Sequence, residues 1–252
     1  MSHSPSQASG YYGLPQADGL LLVNKPARFT SHDVVDRIRR RFHFAKVGHA
    51  GTLDPQATGL LILMIGRATK LAPGLLAGDK TYEGVMRLGI ATDTQDADGR
   101  IVREADPGAV TRERLETEFR SLVGDVLQTP PMVSAAKKNG VPLYKLARQG
   151  KTVDRAPRLV HIYELALRGF DPPRASFYLR CSKGFYARTL CADLGERLGC
   201  GAHLEQLRRV AIGDFQLSQA LDLEDALRLE RPALLERLIP LTRVPLPAAR
   251  TP

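Results

Sequence analysis

Two kinds of hydrophobic pattern run along the chain. Residues 20–23 (Leu-Leu-Leu-Val) and 60–65 (Leu-Leu-Ile-Leu-Met-Ile) are unbroken aliphatic runs bounded by polar or glycine-containing turns. Short runs of this sort predict strands buried on both faces. Residues 82–88 alternate up to Gly89 and predict a half-buried strand; residues 160–167 and 176–181 also read as strands. Helical spacing appears elsewhere. Thr30 and Asp33 form a capping-box pattern ahead of Val34, Val35, Ile38 and Phe42, with Arg37, Arg40 and Arg41 on the other face. Leu115, Phe119, Leu122 and Val123 predict the inward face of a helix over residues 111–123. Leu190, Leu194 and Leu198 predict another over 188–198, stopped by Gly199, and a last helix is expected over 223–238. The mixed order of strands and helices predicts an α+β fold around a mixed, largely antiparallel sheet flanked by helices. Residues 1–18 read as a disordered leader, 19–239 as the folded domain and 240–252 as a proline-rich, irregular tail.

Charge changes this picture in one place. The chain carries a formal net charge of +9 and a pI near 9.7, which points to a polyanionic partner, nucleic acid before membrane. Residues 130–158 concentrate that charge: Lys137, Lys138, Lys145, Arg148, Lys151, Arg155 and Arg158 are interleaved with Tyr144 among few aliphatics. This segment reads as an exposed basic excursion suited to RNA. No aliphatic run approaches the roughly 20 residues of a spanning helix, and the N-terminal residues lack the basic and apolar regions of a signal peptide. Three cysteines without CxxC-type spacing, Cys181, Cys191 and Cys200, predict reduced thiols in a cytoplasmic protein rather than disulfides or a zinc site.

The candidate chemistry begins with Gly48-His49-Ala50-Gly51-Thr52-Leu53-Asp54-Pro55-Gln56-Ala57-Thr58-Gly59. One carboxylate sits between glycines, restricted by the following proline, just before a buried strand. That arrangement suits a carboxylate nucleophile, although the loop taken alone favours an ordinary turn in which Asp54 bonds its own backbone. Two further segments bear on it: Lys80-Thr81-Tyr82 places a phenol on a strand, and 181–190 places Arg188 at the opening of a helix. A guanidinium beside Asp54 favours its charged form against burial, by roughly 1–3 pKa units. An EF-hand at 93–99 is excluded, because Thr94 and Ala105 stand where carboxylate ligands are required. A phosphoryl-accepting aspartate is excluded for want of a convincing Mg²⁺ carboxylate set.

Taken together, these segments resemble the bacterial tRNA pseudouridine synthase B (TruB) family. The likeness rests on Asn24-Lys25-Pro26, the Asp54 loop, Lys80-Thr81-Tyr82, Arg87-Leu88-Gly89, residues 92–99, residues 181–189 and Gly199-Cys200-Gly201-Ala202-His203, and it covers residues 19–225. The resemblance implies a pseudouridine synthase fold that isomerises uridine-55 in the T-arm of tRNA, without cofactor or metal. It assigns Asp54 as the essential aspartate, Tyr82 as the stacking aromatic and Arg188 as the partner of the aspartate. It also implies that His49, Tyr186 and Leu207 line the pocket, that Lys25-Pro26 packs behind the loop, and that residues 130–158, with Lys137, Lys138 and Lys145, close over the RNA like a thumb. Attack on the sugar and attack on the pyrimidine ring both remain open, and Tyr82 is a candidate for proton transfer at C5. The residues after the last predicted helix are expected to be too few for the PUA-type module that many relatives carry. A monomeric enzyme is expected; a tRNA-folding protein that keeps the fold without the reaction is the competing reading, and it would not require Asp54, Tyr82 and Arg188 together.

Overall fold

The computed structural model describes residues 17–134, 136–138 and 140–244, apart from the Lys137 side chain. Strand β1 (Gly19–Lys25) leads into helix α1 (Ser31–Arg41), whose N-cap Thr30 accepts from the Asp33 amide in the expected capping box. Strands β2 (Val47–Ala50) and β3 (Thr58–Ile65) follow, joined by the Asp54 loop, and then helix α2 (Ala72–Ala77) and strand β4 (Lys80–Leu88). A small hairpin, β5 (Ile90–Thr92) with β6 (Ile101–Glu104), precedes α3 (Arg112–Ser121) and β7 (Gly124–Gln128). The basic excursion forms two-residue strands β8 (Lys137–Lys138) and β9 (Val141–Pro142) and the short helix α4 (Leu143–Arg148). Strands β10 (Arg158–Asp171) and β11 (Arg174–Cys181), helix α5 (Ala187–Leu198), β12 (Ala202–Ile212), β13 (Phe215–Gln216), β14 (Leu221–Asp222), α6 (Leu223–Arg228) and α7 (Arg231–Glu236) complete the domain.

Ten of the strands form one mixed sheet in the order β14-β1-β3-β12-β4-β11-β10-β7, with β2 beside β3 and β13 beside β12; β5–β6 and β8–β9 are separate two-stranded sheets. Only the β1–β14 and β3–β12 pairings are parallel; the others are antiparallel. The aliphatic runs are explained by burial on both faces. In β3, Leu61, Leu63 and Ile65 pack towards α1, α6 and α7, while Leu60, Ile62 and Met64 pack towards α2 and Phe215. All six are at most 3% exposed. At roughly 1.5–3 kcal/mol per fully buried side chain, this strand is a fixed base for the loop before it. Helices α3 and α5 cover the other half of the sheet through Phe119, Leu190 and Leu194.

Several boundaries differ from expectation. The last helix is broken at Leu229–Glu230, because Pro232 has no N–H and its ring would clash with the Arg228 carbonyl in a continuous helix. Val123 lies beyond the end of α3 and is 48% exposed rather than inward. Asp18 belongs to the folded domain, since the Arg67 amide and Nε both donate to it at 2.6 Å. Within the expected tail, Leu241–Arg243 form a 3₁₀ turn. The excursion is not wholly exposed either: Pro130, Pro131, Ser134 and Leu143 are buried. No helix among the described residues is long and apolar enough to cross a membrane.

Candidate active site

The Asp54 loop leaves the sheet where the edge of β3 away from β1 changes partner. Its far half pairs with β2, and Thr58 and Gly59 pair with Arg208 and Arg209 of β12. Arg209 fills the split. It is 1% exposed, and its guanidinium donates to the carbonyls of Leu60 (2.8 Å) and Gly51 (2.9 Å). Gly59, at φ +101°, permits this approach, since a Cβ there would collide with the Arg209 backbone. From behind, the fully buried Lys25 donates to the carbonyls of Pro26, Phe29 and Pro55 at 2.6–3.1 Å. The Ser31 hydroxyl accepts from the Leu53 amide (2.9 Å) and donates to the Leu53 carbonyl (3.2 Å). The loop backbone is tied on both sides of Asp54, and the carboxylate is not spent on those ties.

That carboxylate faces Arg188. Arg188 Nε lies 2.9 Å from Asp54 Oδ2, and Nη1 lies 3.5 Å from Asp96 Oδ2. The same guanidinium donates to the carbonyls of Thr94 (3.3 Å) and Val133 (2.7 Å). An arginine only 4% exposed would be costly alone; here every edge of its fork has an acceptor. It stands in the first turn of α5, a helix N-terminus with no acidic residue of its own. Gln128 sets that turn by accepting from the Tyr186 amide (3.0 Å) and donating to its carbonyl (3.3 Å). Burial pushes Asp54 above the usual carboxylate range; Arg188 opposes this and Asp96 reinforces it. The expected guanidinium effect is therefore present, but desolvation outweighs it.

Opposite stands Tyr82, half-buried on β4, lining the same cavity as Arg209. Burial pushes its phenol up to about 12, so at neutral pH it is a neutral aromatic face and no resting base. Asp54, Tyr82 and Arg188 share a cavity of about 260 Å³ with Tyr186 and Leu207. His49 is half-buried on β2 but does not line it. Lys25 and Pro26 lie behind the loop, while Lys138 and Lys145 are out on the excursion; the Lys137 side chain lies outside the described residues. Sequence reasoning missed Arg209 and Gln128 and included Asp96 only as part of residues 92–99. Asp96 joins two tasks: it closes a turn by accepting from Thr94 Oγ1 and the Asp98 amide, and it reaches Arg188.

Known proteins share this arrangement of elements. Residues 39–187 match the N-terminal domain of the TruB family pseudouridylate synthases, and residues 188–244 match the tRNA pseudouridylate synthase B C-terminal domain. A tRNA pseudouridine synthase B from Opitutus terrae is 49% identical over 225 residues, 89% of this chain and 93% of that one. Another, from Syntrophotalea carbinolica, is 50% identical over 207 residues, 82% of this chain and 68% of that one. Among solved structures, a chain of a Cbf5-Nop10-Gar1 complex superposes with a TM-score of 0.70 at 25% identity; the match covers 88% of this chain and 60% of that one. The chain belongs to the TruB family of tRNA pseudouridine synthases, isomerases that convert uridine to pseudouridine.

Proposed function

We propose that this chain isomerises uridine-55 in the T-arm of tRNA, with Asp54 as the nucleophile and the enzyme acting as a monomer. The observation that carries the reading is the Asp54–Arg188 pair sharing one small cavity with the Tyr82 ring. A stacked uridine is out of reach, so the nucleotide must leave the stack at a cost of a few kcal/mol. Tyr82 returns part of that, at roughly 1–3 kcal/mol for one aromatic–base contact. The bond between C1′ and N1 breaks, a bond between C1′ and C5 forms, the C5 proton departs and N1 regains a proton. When Asp54 bonds covalently its charge is lost, and Asp96 with the Thr94 and Val133 carbonyls keeps Arg188 paired. The walls of the cavity hold the freed ring while it turns. The basic side chains of residues 130–158 supply phosphate contacts to the folded RNA.

Release of tritium from C5-labelled uridine in a T-arm stem-loop tests the reading. The wild-type chain releases label, and replacing uridine-55 by cytidine abolishes release. Persisting release from that RNA would move the target to another uridine, and no release from either would remove the enzyme reading.

A further inference from the structure

The excursion brings one polar side chain into the cavity. Ser134 is 6% exposed and lines the same 260 Å³ space as Asp54 and Tyr82. Its hydroxyl is buried without a hydrogen-bond partner among the described residues. The surrounding backbone is committed: the Ser134 carbonyl accepts from the Tyr144 amide at 3.0 Å, and the neighbouring Val133 carbonyl accepts from Arg188 at 2.7 Å. A buried hydroxyl without a partner is disfavoured, and a pocket that binds a polar ligand is where one is retained. A uracil lying on Tyr82 turns its polar edge towards the walls, and a hydroxyl can donate to a carbonyl oxygen there.

We propose that Ser134 is a substrate-contacting residue whose hydroxyl donates to one of the two carbonyl oxygens of the flipped uracil. The inference rests on the isomerase reading above. It makes recognition of the base depend on the excursion being seated, because the donor Ser134 and Val133, whose carbonyl accepts from Arg188, are adjacent residues of that segment.

The test is single-turnover tritium release by Ser134→Ala and Ser134→Thr, alongside RNA affinity and thermal melting. The substrates are T-arm RNAs with uridine, 2-thiouridine or 4-thiouridine at the target. Ser134→Ala should slow the uridine reaction by about 10-fold or more with melting and affinity unchanged, and Ser134→Thr should stay within about 3-fold of wild type. On one of the two thio-substituted RNAs, whose sulfur is a poor acceptor, the Ala variant and wild type should converge. A Ser134→Ala rate within about twofold of wild type on uridine overturns the proposal. So does equal slowing by Ala and Thr, or the same deficit on all three RNAs. Failure of the wild-type chain to release label would remove the isomerase reading and Ser134 with it; normal release with an unaffected Ala variant removes Ser134 alone.

Discussion

The loop around Asp54 and the excursion over residues 130–158 both contribute walls to one cavity, and they are held in place very differently. The loop is tied by Lys25, Ser31 and Arg209 to two strands and a helix, on a strand buried on both faces. The excursion consists of two-residue strands and a six-residue helix, joined to the rest by bonds such as Arg188 to the Val133 carbonyl and, within itself, Arg155 to the Pro130 carbonyl. The difference follows the two tasks. Under the proposed function, a nucleophile has to be held to a fraction of an ångström, whereas a segment that admits a folded RNA has to yield and reseat. Arg188 is the point where the two regions meet.

Among changes that leave Asp54 itself in place, breaking that junction should have the largest effect. Arg188→Gln leaves Asp54 and Asp96 facing each other without their cation and releases the excursion, so single-turnover release should fall roughly 10²–10³-fold, as for loss of a preorganised charge contact. RNA affinity should change far less. Breaking only the support of the loop should appear in stability: Arg209→Met strands the Gly51 and Leu60 carbonyls, at about 1–3 kcal/mol each, and a urea melt reads the loss. A preserved melting curve would mean that the loop is held by its packing alone.

The carboxylate pair gives a smaller and directional effect. In the proposed reaction Asp54 acts as the anion, and its pKa is raised, so kcat/KM should fall as pH drops through a value above the ordinary carboxylate range. Asp96→Asn removes a like charge, which lowers the Asp54 pKa and moves that acid limb to lower pH. A limb that stays put or moves up contradicts the network. The smallest effect belongs to the excursion's surface. Replacing Lys137, Lys138 and Lys145 together by Gln should reduce the slope of log Kd against log salt by about 0.7–0.9 per lost phosphate contact, with the chemical step unchanged. An unchanged slope would place the RNA on another face.

How much of this was legible depended on whether a residue's task matched its usual chemistry. Unbroken aliphatic strands and the capping box are local patterns, and they identified the β1–α1–β3 frame directly. Pro232 was visible too, yet one helix was expected to run across it, over 223–238. Arg209 could not be read, because an arginine in a strand ordinarily faces water and nothing in Leu207-Arg208-Arg209 tells which one turns inward. Its partner is a gap between strands, and that gap exists only after β2 and β12 both pair with β3. Asp96 is similar: its turn-forming bonds are local, but its contact with Arg188 joins positions more than ninety residues apart. Asp54 itself was ambiguous as a loop residue and gained its role from Tyr82 and Arg188.

The most direct measurement compares Asp54→Asn with the wild-type chain. Asn keeps the size of the side chain but removes its charge and nucleophilicity, while the loop's ties run through other groups. Single-turnover tritium release from T-arm RNA should fall by roughly 10⁴-fold or more, with RNA affinity and melting temperature close to wild type. Release by the Asn variant at a rate comparable to wild type would contradict the assignment of Asp54 as the nucleophile.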